Sequence, residues 1–388
     1  MEVPGPVDVV VIGGGVIGLS AAWRAAADGA SVAVLDPAPG RGSTWAAAGM
    51  LAPVGEAHFG EESLARLNVL AARAWPAFAE ALEAASGTTV GYRATGTVAA
   101  AVDPSDRSVL DDLLRFQLGL GLEARRLSSG GCRALEPLLA PGIRGGAEFA
   151  GDHQVDNRLV VGALLLAVAR LGVAMVADEA VSISVDGGRV SGVTLRNGGT
   201  VAAGAVVLAA GSRSGQVTGL PPEAVPPVRP VKGLTIRLRA PVPGPALTRT
   251  VRGLVHGRSC YLVPRADGTL VVGATMEERG FDRAVQAGPV HDLLDDARTV
   301  VPALDEYDLE ELTTGWRPGT PDNAPVVGRA GPEGLVVATG HFRNGILLAP
   351  VTAEAVAALL AGRPVDAALD PFGPGRFAAG GRLTAARS

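Results

Sequence analysis

Residues 7–12 (VDVVVI) form a nearly continuous β-branched run, the pattern of a strand buried on both faces. Glycines follow, residues 19–27 read as a helix, and a second apolar run over 31–35 ends at Asp36. Leu64, Leu67, Leu70, Ala71, Trp75, Phe78 and Leu82 recur at helical spacing, which predicts a helix over 63–86 that Pro76 kinks and Gly87 stops. Residues 96–102 read as a strand, 105–118 as a helix, and Asp156 as the N-cap of an apolar helix over 159–171. Strands at 181–185, 190–195 and 200–202, separated by turns at Asp186-Gly187-Gly188 and Asn197-Gly198, form a meander that feeds another buried run over 205–211. After a proline-rich crossing at 221–230, strands are expected at 232–238, 260–264, 269–274 and 334–338, with a closing helix at 346–360.

This order predicts an α/β protein: a Rossmann-type parallel sheet with a β-meander crossover, interrupted twice by a β-rich domain. The dinucleotide-binding domain is expected at residues 1–84, 152–222 and 314–372, a substrate domain at 85–151 and 223–313, and a flexible tail at 373–388. No internal repeat is visible.

Composition narrows the function. The chain has 388 residues, 34 basic against 39 acidic, and no basic run to neutralise a row of phosphates, so nucleic acid is not an expected partner. No basic region precedes the first apolar run, which is too short to cross a membrane, so a soluble cytoplasmic protein is expected. Cys132 and Cys260 show no metal spacing, and His58, His153, His256, His291 and His341 are scattered, so neither a disulfide framework nor a metal centre is expected.

The clearest motif is Gly13-Gly14-Gly15-Val16-Ile17-Gly18, which matches GxGxxG between a strand and a helix. Gly13 permits the tight turn, Gly15 lets a pyrophosphate approach the backbone, and Gly18 lets helix and strand pack closely, with Val16 and Ile17 opening the helix. The helix N-terminus favours the anion, and Asp36 accepts hydrogen bonds from a ribose. The chain then enters RGSTWAAAGMLAP, residues 41–53, whose small residues Ala46 to Gly49 suit backbone contact with a flat ring system.

In the second half, YLVPRADGTLVVGAT carries a hairpin signal at Asp267-Gly268, with positive φ expected at both. For a two-residue loop, Tyr261 faces Ala274, and Ser259, Tyr261, Val263, Val272, Ala274 and Met276 share one face; a three-residue loop reverses this. The stretch GWRPGTPDNAPVVG places Arg317 between a tryptophan and a Pro-Gly turn. A buried arginine there, without a protein carboxylate, would need one from a ligand.

The motifs GGGVIGLSAA, STWAAAGMLAP, CYLVPR, LVVGATMEERGF, GWRPGTPD and GHFRNGILLAP together resemble the glycine oxidases of thiamine biosynthesis, members of the D-amino-acid oxidase family of flavoproteins, and the resemblance extends to about Pro371. It implies non-covalent FAD, hydride transfer from the substrate Cα to flavin N5, an imine that yields glyoxylate and ammonia, and reoxidation by molecular oxygen to hydrogen peroxide. By resemblance Arg317 pairs with the substrate carboxylate, the Tyr261 hydroxyl assists it, Met276 walls the pocket, and the Arg343 carbonyl lies near the amine. Likewise Ser43, Thr44, Ala48, Gly49, Met50, Val181, Gly211, His341, Arg343, Asn344, Gly345, Ile346 and Leu347 join the GxGxxG residues and Asp36 around FAD. The N-terminus of the closing helix is expected to stabilise the reduced ring.

Two positions depart from the best-known relatives. Ser259 stands where they have a histidine, which bears on the preference among small amines, and Asp36 replaces a glutamate that serves the same ribose contact. The resemblance also implies a transient thiazole synthase partner and a homo-oligomer. Other readings are an oxidase or dehydrogenase for a D-amino acid, sarcosine or D-proline, a flavin-binding protein without turnover, and an NAD dehydrogenase.

Overall fold

The computed structural model describes residues 4–242, 244 and 246–377. β1 (Val7–Ile12) lies inside the first sheet, parallel to Thr200–Leu208 on one side and to β2 (Val32–Leu35) on the other. The sheet continues through Leu335–Thr339 and Val326–Arg329 at one edge and Ala174–Val176 at the other. Successive β1 side chains leave opposite faces. Val9 and Val11 join the core beneath α1 (Val16–Ala27) and the helices Glu62–Ser86, Asn157–Arg170 and Gly345–Leu360. Val10 and Ile12 pack against the meander strands Ala180–Asp186 and Arg189–Leu195. Cover on both faces explains why the run is almost wholly apolar.

Local signals set the ends of these helices. Gly87 stops Glu62–Ser86 in the left-handed conformation, φ 71°, which costs glycine little. The Asp156 carboxylate accepts the N–H groups of Arg158 and Leu159 and starts Asn157–Arg170. The segment Phe342–Leu360 has the length and hydropathy of a membrane span, but 67% of it is buried inside the fold. It packs on α1 and Glu62–Ser86 as a core helix.

The second sheet runs Asp308–Gly319, Arg229–Arg239, Thr269–Gly273, Arg258–Pro264, Thr250–Val255, Thr97–Ala101, Gly145–Phe149, Arg125–Leu127. It is antiparallel except where Thr250–Val255 meets Thr97–Ala101. The strands Thr250–Val255 and Gly145–Phe149 and the helix Ala287–Val300 escaped the sequence pattern, each being short or mixed in polarity.

Two expectations are corrected here. Arg317 is not at a Pro-Gly turn: it lies in the strand Asp308–Gly319, where Pro318 and Gly319 still face Pro230 and Arg229. This is an edge strand, and a proline facing away from the neighbour leaves the ladder intact. The hairpin has a three-residue loop, Ala266 to Gly268, so Tyr261 faces Gly273 and not Ala274. Of the two turn residues only Gly268 has positive φ, at 85°; the Asp267 carboxylate instead accepts the Thr269 N–H. The one-residue shift moves Val272 into the core with Leu262 and Leu270. Tyr261 and Val263 share the opposite face with Val271.

Arg265, at the base of that hairpin, ties the second sheet to the small-residue loop and to the start of the helix Asn157–Arg170. Its guanidinium donates to the carbonyls of Ala48 (2.6 Å) and Val155 (2.8 Å) and to the side chains of Gln154 and Asn157. Asn157 in turn donates to the carbonyls of Thr44 and Trp45. Of the tail expected at 373–388, Pro374–Phe377 form a short 3-10 turn held by a bidentate pair of Arg376 with Asp322, and residues 378–388 lie outside those described.

Candidate active site

One cavity of about 1660 Å³ runs from the carboxyl ends of the first sheet, at Ile12, Leu35 and Thr339, to the face of the second sheet that carries Tyr261 and Arg317. Ligands in open α/β sheets take this position because helix N-termini and strand-end loops converge there.

At the first end Gly13, Gly15, Val16 and Ile17 line the cavity, while Gly18 lies behind them. A Cβ on Gly18 would sit 1.9 Å from the Gly13 carbonyl oxygen, so only glycine lets α1 approach the turn this closely. Asp36 is aimed by two backbone donors, Gly14 N–H at 2.7 Å and Ala38 N–H at 2.8 Å, and faces the cavity with lone pairs to spare. Val181 and Gly211 complete this end.

The middle is walled by the loop that Arg265 and Asn157 hold. Ser43, Thr44, Ala48, Gly49 and Met50 all line it. Thr44 and Ser43 also have structural work: the Thr44 hydroxyl accepts the Val16 N–H at 3.1 Å, and the Ser43 hydroxyl donates to the Trp316 carbonyl. Opposite stand His341, Arg343, Asn344 and the first turn of Gly345–Leu360, Gly345, Ile346 and Leu347. Burial pulls the His341 pKa down to about 3, so the ring is neutral, with Nε2 3.0 Å from the Thr352 hydroxyl. The Asn344 amide nitrogen is buried without a protein partner. The turn at Gly13 to Gly15, the Asp36 carboxylate, the small-residue loop and this orphaned amide fit a flavin dinucleotide, whose phosphates α1 would hold and whose ring residues 46–50 and 344–347 would flank.

At the far end the sheet presents four neighbouring strands. The Arg317 guanidinium reaches over Gly233, where a Cβ would meet Nη1 at 2.3 Å, and donates to the Thr275 carbonyl at 3.0 Å. The Tyr261 ring lies over Gly273, where a Cβ would meet the ring at 2.2 Å, and Arg317 is near enough to act on its phenol. Burial raises the phenol pKa against the pull of the neighbouring guanidinium, so the hydroxyl keeps its proton. No carboxylate pairs with Arg317 among the described residues.

Ser259 shares the tyrosine's face and lines the cavity. Met276 lies at the rim with 64% of its surface exposed, since the ribbon ends at Gly273 and Glu277 pairs with Lys232. The Arg343 side chain lies 2.9 Å from Glu56 and also pairs with Glu61.

Sequence reasoning missed Gly233, Gly273, Arg252, Glu56 and Asp152. The two glycines carried a usable signal, since an isolated glycine within a strand marks close approach. The charged residues carried none. Glu56 also pairs with Arg252, and its two arginine neighbours hold it near pKa 2 despite burial. Burial pushes Asp152 up to about 7, although its oxygens accept the N–H groups of Val54 and Gly55.

Comparison with known proteins places this geometry. The model of the FAD dependent oxidoreductase (DAO) family matches residues 8–359. The glycine oxidase of Geobacillus kaustophilus is 37% identical over 378 residues, 94% of this chain and 96% of that protein. A crystal structure of glycine oxidase from the same species superposes with a TM-score of 0.87 at 33% identity, covering 95% of this chain and 98% of that one. The bifunctional protein ThiO/ThiG of Trichormus variabilis is 33% identical over 95% of this chain but 55% of its own length, so the chain spans about half of such relatives. Iminodiacetate oxidase from Chelativorans sp. superposes with a TM-score of 0.83 at 26% identity, covering 94% and 97%.

Proposed function

The chain belongs to the FAD dependent oxidoreductase family, and from that premise we propose that it oxidises glycine and other small primary or secondary amines that carry a carboxylate. The observation that carries this reading is Arg317: a guanidinium in the cavity with no carboxylate among the described residues, held over Gly233 beside the Tyr261 hydroxyl. Two parallel N–H donors match a carboxylate. The phenol adds a third donor, so the substrate is fixed through its acid group and its Cα–H is oriented towards the loop at residues 46–50. FAD held there by the residues of α1, 46–50 and 344–347 would supply the hydride acceptor and, with molecular oxygen as oxidant, the products would be hydrogen peroxide and an imine that hydrolyses to glyoxylate and ammonia.

Hydride loss from a neutral amine needs orientation and no protein base. The site accordingly presents a protonated tyrosine and a neutral histidine. The resemblance to the glycine oxidases of thiamine biosynthesis adds a destination for the imine, thiazole formation, with a thiazole synthase as transient partner.

Anaerobic addition of glycine, D-alanine and sarcosine to the purified protein tests the reading. Flavin bands should bleach, fastest with glycine, and return in air. Bands that none of the three bleaches would remove the assignment, and bleaching that air does not reverse would make the protein a dehydrogenase. Gly233→Ala is expected to displace the guanidinium and raise KM for glycine roughly tenfold, below the ~10²-fold that a full ångström of misplacement costs. Its flavin content should not change. Steady-state kinetics with a flavin assay separate the two effects.

A further inference from the structure

The reading above uses one cavity guanidinium and leaves another. Arg252, in the strand Thr250–Val255, stands directly opposite Tyr261 on the neighbouring strand, so both side chains leave the same face of the sheet. Its side chain is 18% exposed and lines the cavity. Tyr261 thus lies between two arginines, Arg317 on one side and Arg252 on the other, and both act on its phenol.

The charges around Arg252 are unevenly matched. Its Nη1 donates to Glu56, but Glu56 is also 2.9 Å from the Arg343 Nε, so one carboxylate serves two guanidiniums. Glu61 pairs with Arg343 as well. Arg252 and Arg343 thus share Glu56 and Glu61, Arg317 has no carboxylate among the described residues, and burial pushes the nearby Asp152 up to about 7. A substrate with a single carboxylate satisfies Arg317 and leaves Arg252 with a shared partner. Ser259, exposed and two residues from Tyr261 on the same face, leaves room beside Arg252. Three strand spacings, about 14 Å, separate the strand that carries Arg252 from the one that carries Gly233 beneath Arg317.

We propose that Arg252 forms a second anion subsite, so that the cavity accepts small amino acids or secondary amines carrying a second carboxylate, one acid group on Arg317 and the other on Arg252. This deepens the amine-oxidase reading and rests on it for the place of the first carboxylate.

The test is a binding measurement on the FAD-loaded protein. Diglycolate, a dicarboxylate with an ether oxygen and no amine to oxidise, is compared with its monoamide, which has the same shape and one charge fewer. Calorimetry and the shift of the flavin bands both report Kd. Diglycolate is expected to bind about 10- to 100-fold more tightly, as a buried charge-assisted pair requires. Arg252→Gln should bring the ratio to about 1, and Glu56→Gln should raise it by removing the competing carboxylate. A ratio near 1 in the unaltered protein, or one that survives Arg252→Gln, overturns the proposal. If Arg252→Gln does not fold, Glu56→Gln decides: a ratio that fails to rise means that Arg252 serves Glu56 alone. Because neither probe is turned over, failure of glycine to bleach the flavin would count against the oxidase reading and leave this comparison intact.

Discussion

Replacing Arg317 by methionine is expected to lower kcat/KM for glycine by roughly 10²- to 10³-fold, the factor that breaking a buried ion pair implies. The same change should leave thermal stability nearly unaltered. The reason is that Arg317 has no carboxylate to orphan among the described residues: its hydrogen bond goes to the Thr275 carbonyl. Most buried arginines behave in the opposite way. Arg265, with four acceptors around its guanidinium, should lower stability when removed. Arg317→Lys keeps the charge but loses the planar fork, so it should recover only part of the activity. Steady-state kinetics beside a melting curve check the pair of outcomes. A kcat/KM within threefold of the unaltered protein would remove Arg317 from substrate recognition.

The second large effect is expected at Gly18. A single methyl there would lie 1.9 Å from the Gly13 carbonyl oxygen, and both partners are backbone. Neither can turn away as a side chain would, so α1 and the turn at Gly13 to Gly15 must separate. Overpacking of this kind costs about 1–3 kcal/mol or more. It falls on a segment that lines the cavity, so Gly18→Ala should purify with little or no flavin and should not regain its yellow colour on incubation with excess FAD. Gly162→Ala is the control: it lies in the helix Asn157–Arg170 with nothing within 4 Å of the added Cβ, and should bind FAD normally. Flavin content per protein, read from the absorbance ratio, settles both.

Much of the first sheet was legible in the chain because its signals are local. The β-branched run, the glycines, the helix and Asp36 lie within thirty residues of one another, and each constrains its neighbours through turn sterics and period. The hairpin shows where such reasoning fails. Asp267-Gly268 marked the turn correctly, but whether Ala266 belongs to the loop depends on which face the flanking residues must bury. Val272 and Leu270 are drawn to the core behind the sheet, and that demand, absent from the turn itself, added a residue to the loop and turned Met276 out to the rim.

Sequence alone therefore determined the dinucleotide cradle, the presence of a parallel sheet and a second, β-rich part and, through resemblance, that Arg317 and Tyr261 belong to one site. Tertiary structure decided what surrounds them. Arg317 acquired its meaning only when Gly233 from a neighbouring strand and Thr275 from the segment after Gly273 came beneath it, with no carboxylate among the described residues beside them. Glu56 and Arg252 read as ordinary charged residues far from Arg343 in the chain, and only tertiary packing sets one carboxylate between two guanidiniums. Periodicity and turn chemistry act over a few residues, whereas the sign and balance of charge in a cavity depend on which distant side chains lose their water together.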